Sequence, residues 1–367
     1  MLSALTDPAE TMSSENENPS PQGPSRIRSA YNPMFSPQSP ECRSANSLPK
    51  FYQNAYPASD YHQEHQYLSL VSTVIDHGTL RTDRTGTGTL SVFAPPPFRF
   101  SLSANTLPAL TTKRVPLRIV FEELMFFIRG QTDATILSAK GVKIWDGNGS
   151  RAALDRLGLT ERREGDLGPV YGFQWRHFGA TYTDADQDYT GQGVDQLREV
   201  IRLIKENPMD RRIILSAWNP ADMNIMALPP CHMFAQFYVS AAPTPDGKPL
   251  LSCQLYQRSC DLGLGVPFNI TSYAMLTHLL AYVTDTTAHE FVHVMGDAHV
   301  YTDHVQPLNE QLMRDLTTSF PKIEIAGEHK EGSSVDECLK ELEAFEWDAI
   351  KIVGYSPQGK IAMNMSV

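Results

Sequence analysis

Ala227-Leu228-Pro229-Pro230-Cys231-His232 opens the stretch on which the fold reading turns. It leads into an apolar–polar alternation over 232–240, a Pro243-Thr244-Pro245-Asp246-Gly247 turn signal and a return run over 250–257. Period-two alternation bounded by Pro and Gly is the pattern of paired strands, so this part is expected to fold back on itself. Gln257-Arg258-Ser259-Cys260-Asp261 and Pro267-Phe268-Asn269 follow, and 268–284 reads as a long, mostly apolar helix. Two successive prolines fix φ and remove backbone donors, so they stiffen the approach to Cys231 and keep helix away. A cysteine held in this way is a candidate nucleophile. An ordinary thiol has a pKa of about 8.5 and is activated by a neighbouring guanidinium; Arg258, on the paired run, is the candidate. Most cysteines are small core fillers, so the thiol must be weighed with the rest of the chain.

Upstream, residues 67–75 repeat apolar side chains at helical spacing up to Gly78, a helix stop signal. Asp83-Arg84-Thr85-Gly86-Thr87-Gly88-Thr89 is a small-residue loop with one arginine. The segment 90–102 alternates like a strand but is interrupted by Pro95-Pro96-Pro97, which suits a bulge or an edge. A helix is expected over 116–129, apolar almost all round and therefore in the core. It carries Glu122 and Glu123 side by side. One can face solvent, but its neighbour, under a third of a turn away, cannot easily do so too, so the pair is either a buried functional carboxylate or a salt-bridged couple. Residues 143–149 read as a loop, 151–167 as a charged surface insertion, 168–176 as an aromatic-rich core or cleft wall, and 194–206 as an amphipathic helix. Arg211-Arg212 begins a strand expected over 211–218. A strand is expected over 290–295, a loop over 296–301, a helix over 302–314, and short strands near Ile323 and over 350–353.

The chain of 367 residues has Lys+Arg 31 against Asp+Glu 42, net −11. Such a surface disfavours broad nucleic-acid or anionic-membrane binding, so an anionic substrate needs a local basic pocket. Five cysteines without CxxC spacing point to a reducing compartment. No apolar run approaches the ~18 residues of a membrane span, and the N-terminus lacks a basic-then-apolar signal pattern. Residues 1–60 hold a Ser/Pro-rich stretch, 8 Pro and 10 Ser in the first 50, which buries too little apolar area to order itself; a disordered tail is expected there, before a folded domain over 61–367. P-loop and dinucleotide-binding glycine motifs are absent. His289 and His293 lie in a strand-like run with no carboxylate to complete a metal triad, so no metal is expected. Cys231-His232 is not expected to act as a protease dyad, because strand neighbours diverge.

Arg84, Arg211, Arg212, Arg258 and Ser259 are anion-binding groups at loops and strand ends, and several arginines round one site suit a phosphate dianion. Asn269 offers a donor and an acceptor, as reading a pyrimidine edge requires. His299 and Tyr301 suit a sugar hydroxyl. These groups and a thiol suggest covalent chemistry on a nucleoside monophosphate.

From about Tyr61 onward the chain resembles the thymidylate synthase family. The resemblance rests on the Arg84-Thr85-Gly86-Thr87-Gly88 loop, Leu110-Thr111-Thr112-Lys113-Arg114, Trp145-Asp146-Gly147-Asn148-Gly149, Tyr171-Gly172-Phe173-Gln174-Trp175, Asp210-Arg211-Arg212, Pro229-Pro230-Cys231-His232, Gln257-Arg258-Ser259-Cys260-Asp261, Pro267-Phe268-Asn269 and Asp297-Ala298-His299-Val300-Tyr301. The insertions at 151–167 and 241–249 resemble those of eukaryotic members. The resemblance implies an α+β fold with a large mixed sheet flanked by helices, sheets stacked back to back in a homodimer, and a methyltransferase that makes dTMP from dUMP with 5,10-methylenetetrahydrofolate, without a metal. It implies that Cys231 attacks uracil C6. Arg84, Arg258, Ser259 and, across the interface, Arg211 and Arg212 would hold the phosphate. Asn269 would read the uracil edge, and His299 and Tyr301 the 3′-hydroxyl; His232, Gln257, Cys260 and Asp261 would complete the nucleotide site. Glu123 and Tyr171 would serve proton transfer, with Arg258 and Asp261 in the catalytic set. Trp145, Asn148, Asp261, Leu264, Gly265, Phe268, Ser366 and the terminal Val367 would contact folate. The expected compartment is the cytoplasm, with the nucleus as a second. Asp303, Phe126 and Pro95-Pro96-Pro97 depart from the commonest family pattern. Two rivals are weaker. A dCMP hydroxymethylase prefers aspartate where Asn269 stands, and a non-catalytic nucleotide- or RNA-binding homologue would be expected to have lost Cys231 or the arginines.

Overall fold

The computed structural model describes residues 62–82 and 86–365. The expected tail over 1–60, Arg84, Ser366 and Val367 lie outside the described residues. Helix α1 (His65–His77) buries Tyr67, Leu70, Val71 and Val74 and ends at Gly78, whose N–H bonds Val74 O at 2.9 Å. A Cβ at Gly78 would lie 2.3 Å from that oxygen, so the chain turns there only without a side chain. Strands β1 (Thr79–Arg81), β2 (Thr89–Phe93) and β3 (Phe98–Ser101) follow. The three prolines form the corner between β2 and β3, with Ala94 at φ 51°. Both strands then pair with the same neighbour, β7 (Thr287–Tyr301), at Phe93↔Asp297 and Phe98↔His293.

Helix α2 (Leu117–Ile128) buries ten residues, Glu122 and Glu123 among them. Ahead of it, the fully buried Glu64 carboxylate accepts hydrogen bonds from the backbone and hydroxyls of Thr111 and Thr112, at 2.6–3.0 Å. This pins the segment that carries Lys113 and Arg114. The 143–149 stretch is partly a helical turn, Asp146–Gly149, rather than all loop. The 151–167 stretch is not purely surface: its short helix Arg151–Arg156 buries Ala153 and Leu154, and Asp166 and Leu167 are fully buried. Asp166 accepts from Tyr182 Oη at 2.7 Å and Gly168 N at 2.8 Å, so its charge serves the interior. Helix α3 (Tyr171–His177) supplies the aromatic wall, and α4 (Gln196–Glu206) is capped by Asp195 accepting from Arg198 N.

The strand expected over 211–218 pairs at three residues only, β4 (Ile214–Ser216), because Arg211 and Arg212 are exposed and Asp210 folds back onto Arg212 at 2.7 Å. Strands β5 (His232–Ser240) and β6 (Leu250–Asp261) form the expected antiparallel pair, with Phe237↔Cys253 in register and a bulge between His232 and Phe234. Helix α5 (Gly265–Val283) buries sixteen of its 19 residues, as an element apolar all round should. It crosses over to place β7 parallel to β6, with Asp261↔His299 in register. The segment 296–301, read as a loop, is the continuous end of β7. Gly296 allows this, because a Cβ would lie 2.9 Å from Arg258 O. The sheet order is β1-β2-β7-β6-β5-β4, with β3 also on β7.

Ala235, Phe237, Val239, Leu251, Cys253 and Leu255 bury one face of the β5–β6 pair. The opposite face carries Phe234 stacked on Tyr256 at 5.7 Å and leaves Tyr238 66% exposed. Helix α6 (Val305–Leu312) matches the helical reading of 302–314. A small sheet of β8 (Lys322–Ile325) and β9 (Ile350–Val353) closes the chain. Between these two strands lies α7 (Val335–Ala344), absent from the sequence reading although Ser334 and Glu337 form a capping box.

Candidate active site

The ends of β5, β6 and β7 meet the start of α5, the side of α2 and the start of α3 around a cavity of about 790 Å³. The prolines before Cys231 turn their carbonyls to Arg258: its Nε donates to Pro230 O at 2.9 Å and its Nη2 to Pro229 O at 3.0 Å. Arg258 N donates to Cys231 O at 2.9 Å, and Cys231 N donates to Tyr171 Oη at 2.8 Å. Cys231, half-buried and not in a disulfide, is thus fixed on both sides of its peptide. The guanidinium tied to the two preceding residues sets a positive charge beside the Cys231 segment. The other guanidinium nitrogen, Nη1, is left for an anion.

Beneath Cys231, the His232 ring stacks on Tyr171 at 4.0 Å and meets Tyr273 Oη at 2.8 Å through Nδ1. Burial, with the nearby His293, pushes its pKa down to about 3, so it is neutral. The Tyr171 hydroxyl is raised well above its ordinary value, chiefly by burial, and stays protonated. The two adjacent glutamates divide. Glu122 is salt-bridged to Lys140 at 2.7 Å. Glu123 lines the cavity and accepts from Trp145 Nε1 at 2.8 Å. Burial raises Glu123 to about 7 against that bond, which poises it for proton transfer near neutrality.

The polarity of the amide relay at Asn269 is set by a backbone carbonyl. Ser259 O can only accept, so Gln257 turns Nε2 toward it, at 3.0 Å. The same nitrogen donates to Asn269 Oδ1 at 3.1 Å, and Gln257 Oε1 accepts from His293 Nε2 at 2.9 Å. Burial holds His293 neutral, near 3. Asn269 therefore keeps its Nδ2 hydrogens for a ligand. The Asp261 carboxylate accepts from Gly263 N at 2.8 Å, Leu264 N at 3.2 Å and Gly265 N at 3.3 Å at the start of α5. Burial works against its charge, but these amides and His304 hold its pKa below the ordinary value. His299 faces Asp297 at 3.2 Å, which also accepts from Ser91 and Arg81.

The cavity brings together Glu123, Trp145, Asn148, Tyr171, Cys231, His232, Gln257, Arg258, Ser259, Asp261, Leu264, Gly265, Phe268, Asn269, His299 and Tyr301. Cys260 does not line this cavity: its side chain is fully buried and its Sγ turns to Gln257 O at 3.3 Å. Arg211 and Arg212 lie outside this cavity. Lys113 and Arg114 line it, although the sequence reading gives them no role. Lys113 is buried and donates to Gly263 O, and burial lowers its pKa to about 8. The signal available was two successive cations after Thr111-Thr112.

The thymidylate synthase family model matches residues 65–367. The chain belongs to the thymidylate synthase family. Thymidylate synthase of Agaricus bisporus is 61% identical over 306 residues, 83% of this chain and 100% of that protein. That of Candida albicans is 57% identical over 314 residues, 83% of this chain and 98% of that protein. A bifunctional dihydrofolate reductase-thymidylate synthase of Arabidopsis thaliana is 57% identical over 308 residues, 84% of this chain and 51% of that protein. Among the described residues no cluster of His, Cys, Asp and Glu could hold a metal ion, and no helix is long and apolar enough to cross a membrane.

Proposed function

We propose that the chain makes dTMP from dUMP by reductive methylation, with 5,10-methylenetetrahydrofolate as co-substrate and dihydrofolate as by-product, and that it works as a homodimer. One observation carries the reading. Cys231 is clamped between Tyr171 and Arg258 in the same cavity as the oriented Asn269 amide and the buried Glu123. Its lining supplies both polar groups, at Arg258, Ser259, Asn269, His299 and Tyr301, and apolar ones, at Ile119, Trp145, Leu228, Leu264 and Phe268, as two different ligands would need.

The Cys231 thiolate adds to uracil C6, and the C5=C6 electron pair moves through C4 onto O4. Asn269 Nδ2 donates to that oxygen, where charge develops in a site screened from water. Adding sulfur makes C5 nucleophilic, which uracil C5 alone is not. When bound, the folate supplies the one-carbon unit and then a hydride. Trp145, Asn148, Asp261, Leu264, Gly265 and Phe268 hold it, joined by Ser366 and Val367. Water ordered by Glu123 and the Tyr171 hydroxyl takes the C5 proton and passes it to the Glu123 carboxylate, and Cys231 leaves as thiolate at the end. Arg258 and Ser259 hold the 5′-phosphate with Arg84 and the partner subunit's Arg211 and Arg212. His299 and Tyr301 hold the 3′-hydroxyl.

The open β5–β6 face supports the dimer. It carries the Phe234–Tyr256 stack and an exposed Tyr238, and Gln236 Nε2 donates to Arg211 O at 2.9 Å, which sets Arg211 at its margin. A two-fold contact on that face is self-complementary. The four described cysteines form no disulfide, which suits a cytoplasmic or nuclear compartment. The test is to mix the full chain with dUMP and methylenetetrahydrofolate and follow dihydrofolate absorbance. Steady formation is expected; none, with Cys231 verified as reduced, overturns the reading.

A further inference from the structure

The last described segment has neither helix nor strand past Val353, yet Ile361 and Met365 line the cavity. It is tied down by Gln358 N to Thr111 O at 2.8 Å and by Arg314 Nη1 to Gly359 O at 2.7 Å. Past Ile361, among the described residues, the hydrogen bond that holds it comes from His304, whose Nε2 meets Asn364 O at 2.7 Å. A carbonyl only accepts, so Nε2 carries the hydrogen. The ring is fully buried, and its other nitrogen, Nδ1, is a buried polar atom with no hydrogen-bond partner, aimed at Asp261 Oδ1 from 3.8 Å. Gly263 closes the other side: a Cβ there would lie 2.4 Å from Nδ1 and 3.2 Å from Asp261 Oδ1. Tyr301 flanks the ring at 5.5 Å, and Asp303 Oδ1 stands 3.9 Å from Nε2.

We propose that His304 is a positioning residue for the co-substrate, registering the C-terminal segment over the cavity by gripping the Asn364 carbonyl from a ring pinned between Asp261 and Gly263. The proposal rests on the two-ligand reading above. His304 touches no reacting atom. It acts through Asn364, one residue before Met365, and through Asp261, the last residue of β6. Burial disfavours a charged imidazole here, but the Asp261 carboxylate and the Asn364 carbonyl outweigh it and raise its pKa.

Two substitutions separate this role from general packing. The amide nitrogen of His304→Gln reaches the place of Nε2 and can still donate to Asn364 O. That of His304→Asn coincides with Nδ1 and falls short. In the full-length enzyme, His304→Asn should raise KM for methylenetetrahydrofolate about tenfold, that is about 1.4 kcal/mol. The Kd for dUMP alone should stay within about twofold, and His304→Gln should recover most of the loss. Equal KM values in the two variants, an unchanged KM in His304→Asn, or a matching rise in the dUMP Kd would each overturn the proposal. If His304→Asn fails to fold, Gly263→Ala, which displaces the ring while keeping it, must raise the same KM; a normal KM there also overturns it. Turnover by the unsubstituted enzyme with indistinguishable variants sinks this inference alone, whereas no turnover by the unsubstituted enzyme sinks the functional reading.

Discussion

Replacing Glu123 by Gln should stabilise the protein above neutral pH while crippling it. In the folded state burial raises Glu123 from 4.5 to about 7. The folded chain therefore binds more protons than the unfolded chain between those values, and stability falls as pH rises through that window. The displacement, at about 1.36 kcal/mol per pH unit, costs roughly 3 kcal/mol by pH 8 and nothing below pH 4. The substituted amide would keep an oxygen for Trp145 Nε1, which bonds the Glu123 carboxylate at 2.8 Å, and would carry no charge to bury. Chemical denaturation of both proteins at pH 5 and pH 8, at fixed concentration because subunit association shifts apparent stability, reads the difference. Glu123→Gln should be more stable than the unsubstituted protein by about 2–3 kcal/mol at pH 8, with the gap largely closed at pH 5. Turnover should fall at least ~10²-fold with loss of a proton-transfer group. An equal gap at both pH values would refute the buried-carboxylate argument, and near-normal turnover would remove Glu123 from the chemistry.

Cys231→Ser should lose at least ~10³ in turnover while binding dUMP in equilibrium dialysis; near-normal turnover would rule out the thiol. Asn269→Asp should shift preference toward dCMP, because a carboxylate accepts from the cytosine amino group where the amide donates to O4; an unchanged dUMP:dCMP ratio of kcat/KM would count against Asn269 as the reader. Tyr171→Phe strips the acceptor from Cys231 N, a bond of 2.8 Å, and should cost about 1–3 kcal/mol in stability together with slower exchange of the C5 proton; unchanged tritium release from C5-labelled dUMP would exclude Tyr171 from that step.

The elements with strong periodicity were legible in the sequence. Residues 232–240 alternate because one face of β5 is buried at Ala235, Phe237 and Val239, and α2 is apolar all round because it is buried nearly all round. Function obscured the end of β7: Gly296, Asp297 and His299 look like a loop because they face the cavity and the backbone of Arg258, yet residues 297–301 pair with β2 and 297–299 with β6. Helix α7 was hidden by its charges, since only Cys338, Leu339 and Leu342 are buried. At the site, local patterning singled out Cys231 and raised the question of Glu122 against Glu123. Only the fold answers it, by giving Lys140 to one and Trp145 to the other. The amide relay from Ser259 through Gln257 to Asn269 was not visible, because its partner His293 arrives from a different strand. The gathering of the cavity residues was reached through the family's motifs; no local period joins positions so far apart in the chain.

The central claim is a bond between one sulfur and a pyrimidine ring. Incubation with 5-fluoro-dUMP and methylenetetrahydrofolate, followed by proteolysis and mass spectrometry, should give a covalent adduct on the peptide containing Cys231, with none on those containing Cys253, Cys260 or Cys338. An adduct on another peptide, or none under conditions that release dihydrofolate from dUMP, would contradict the account.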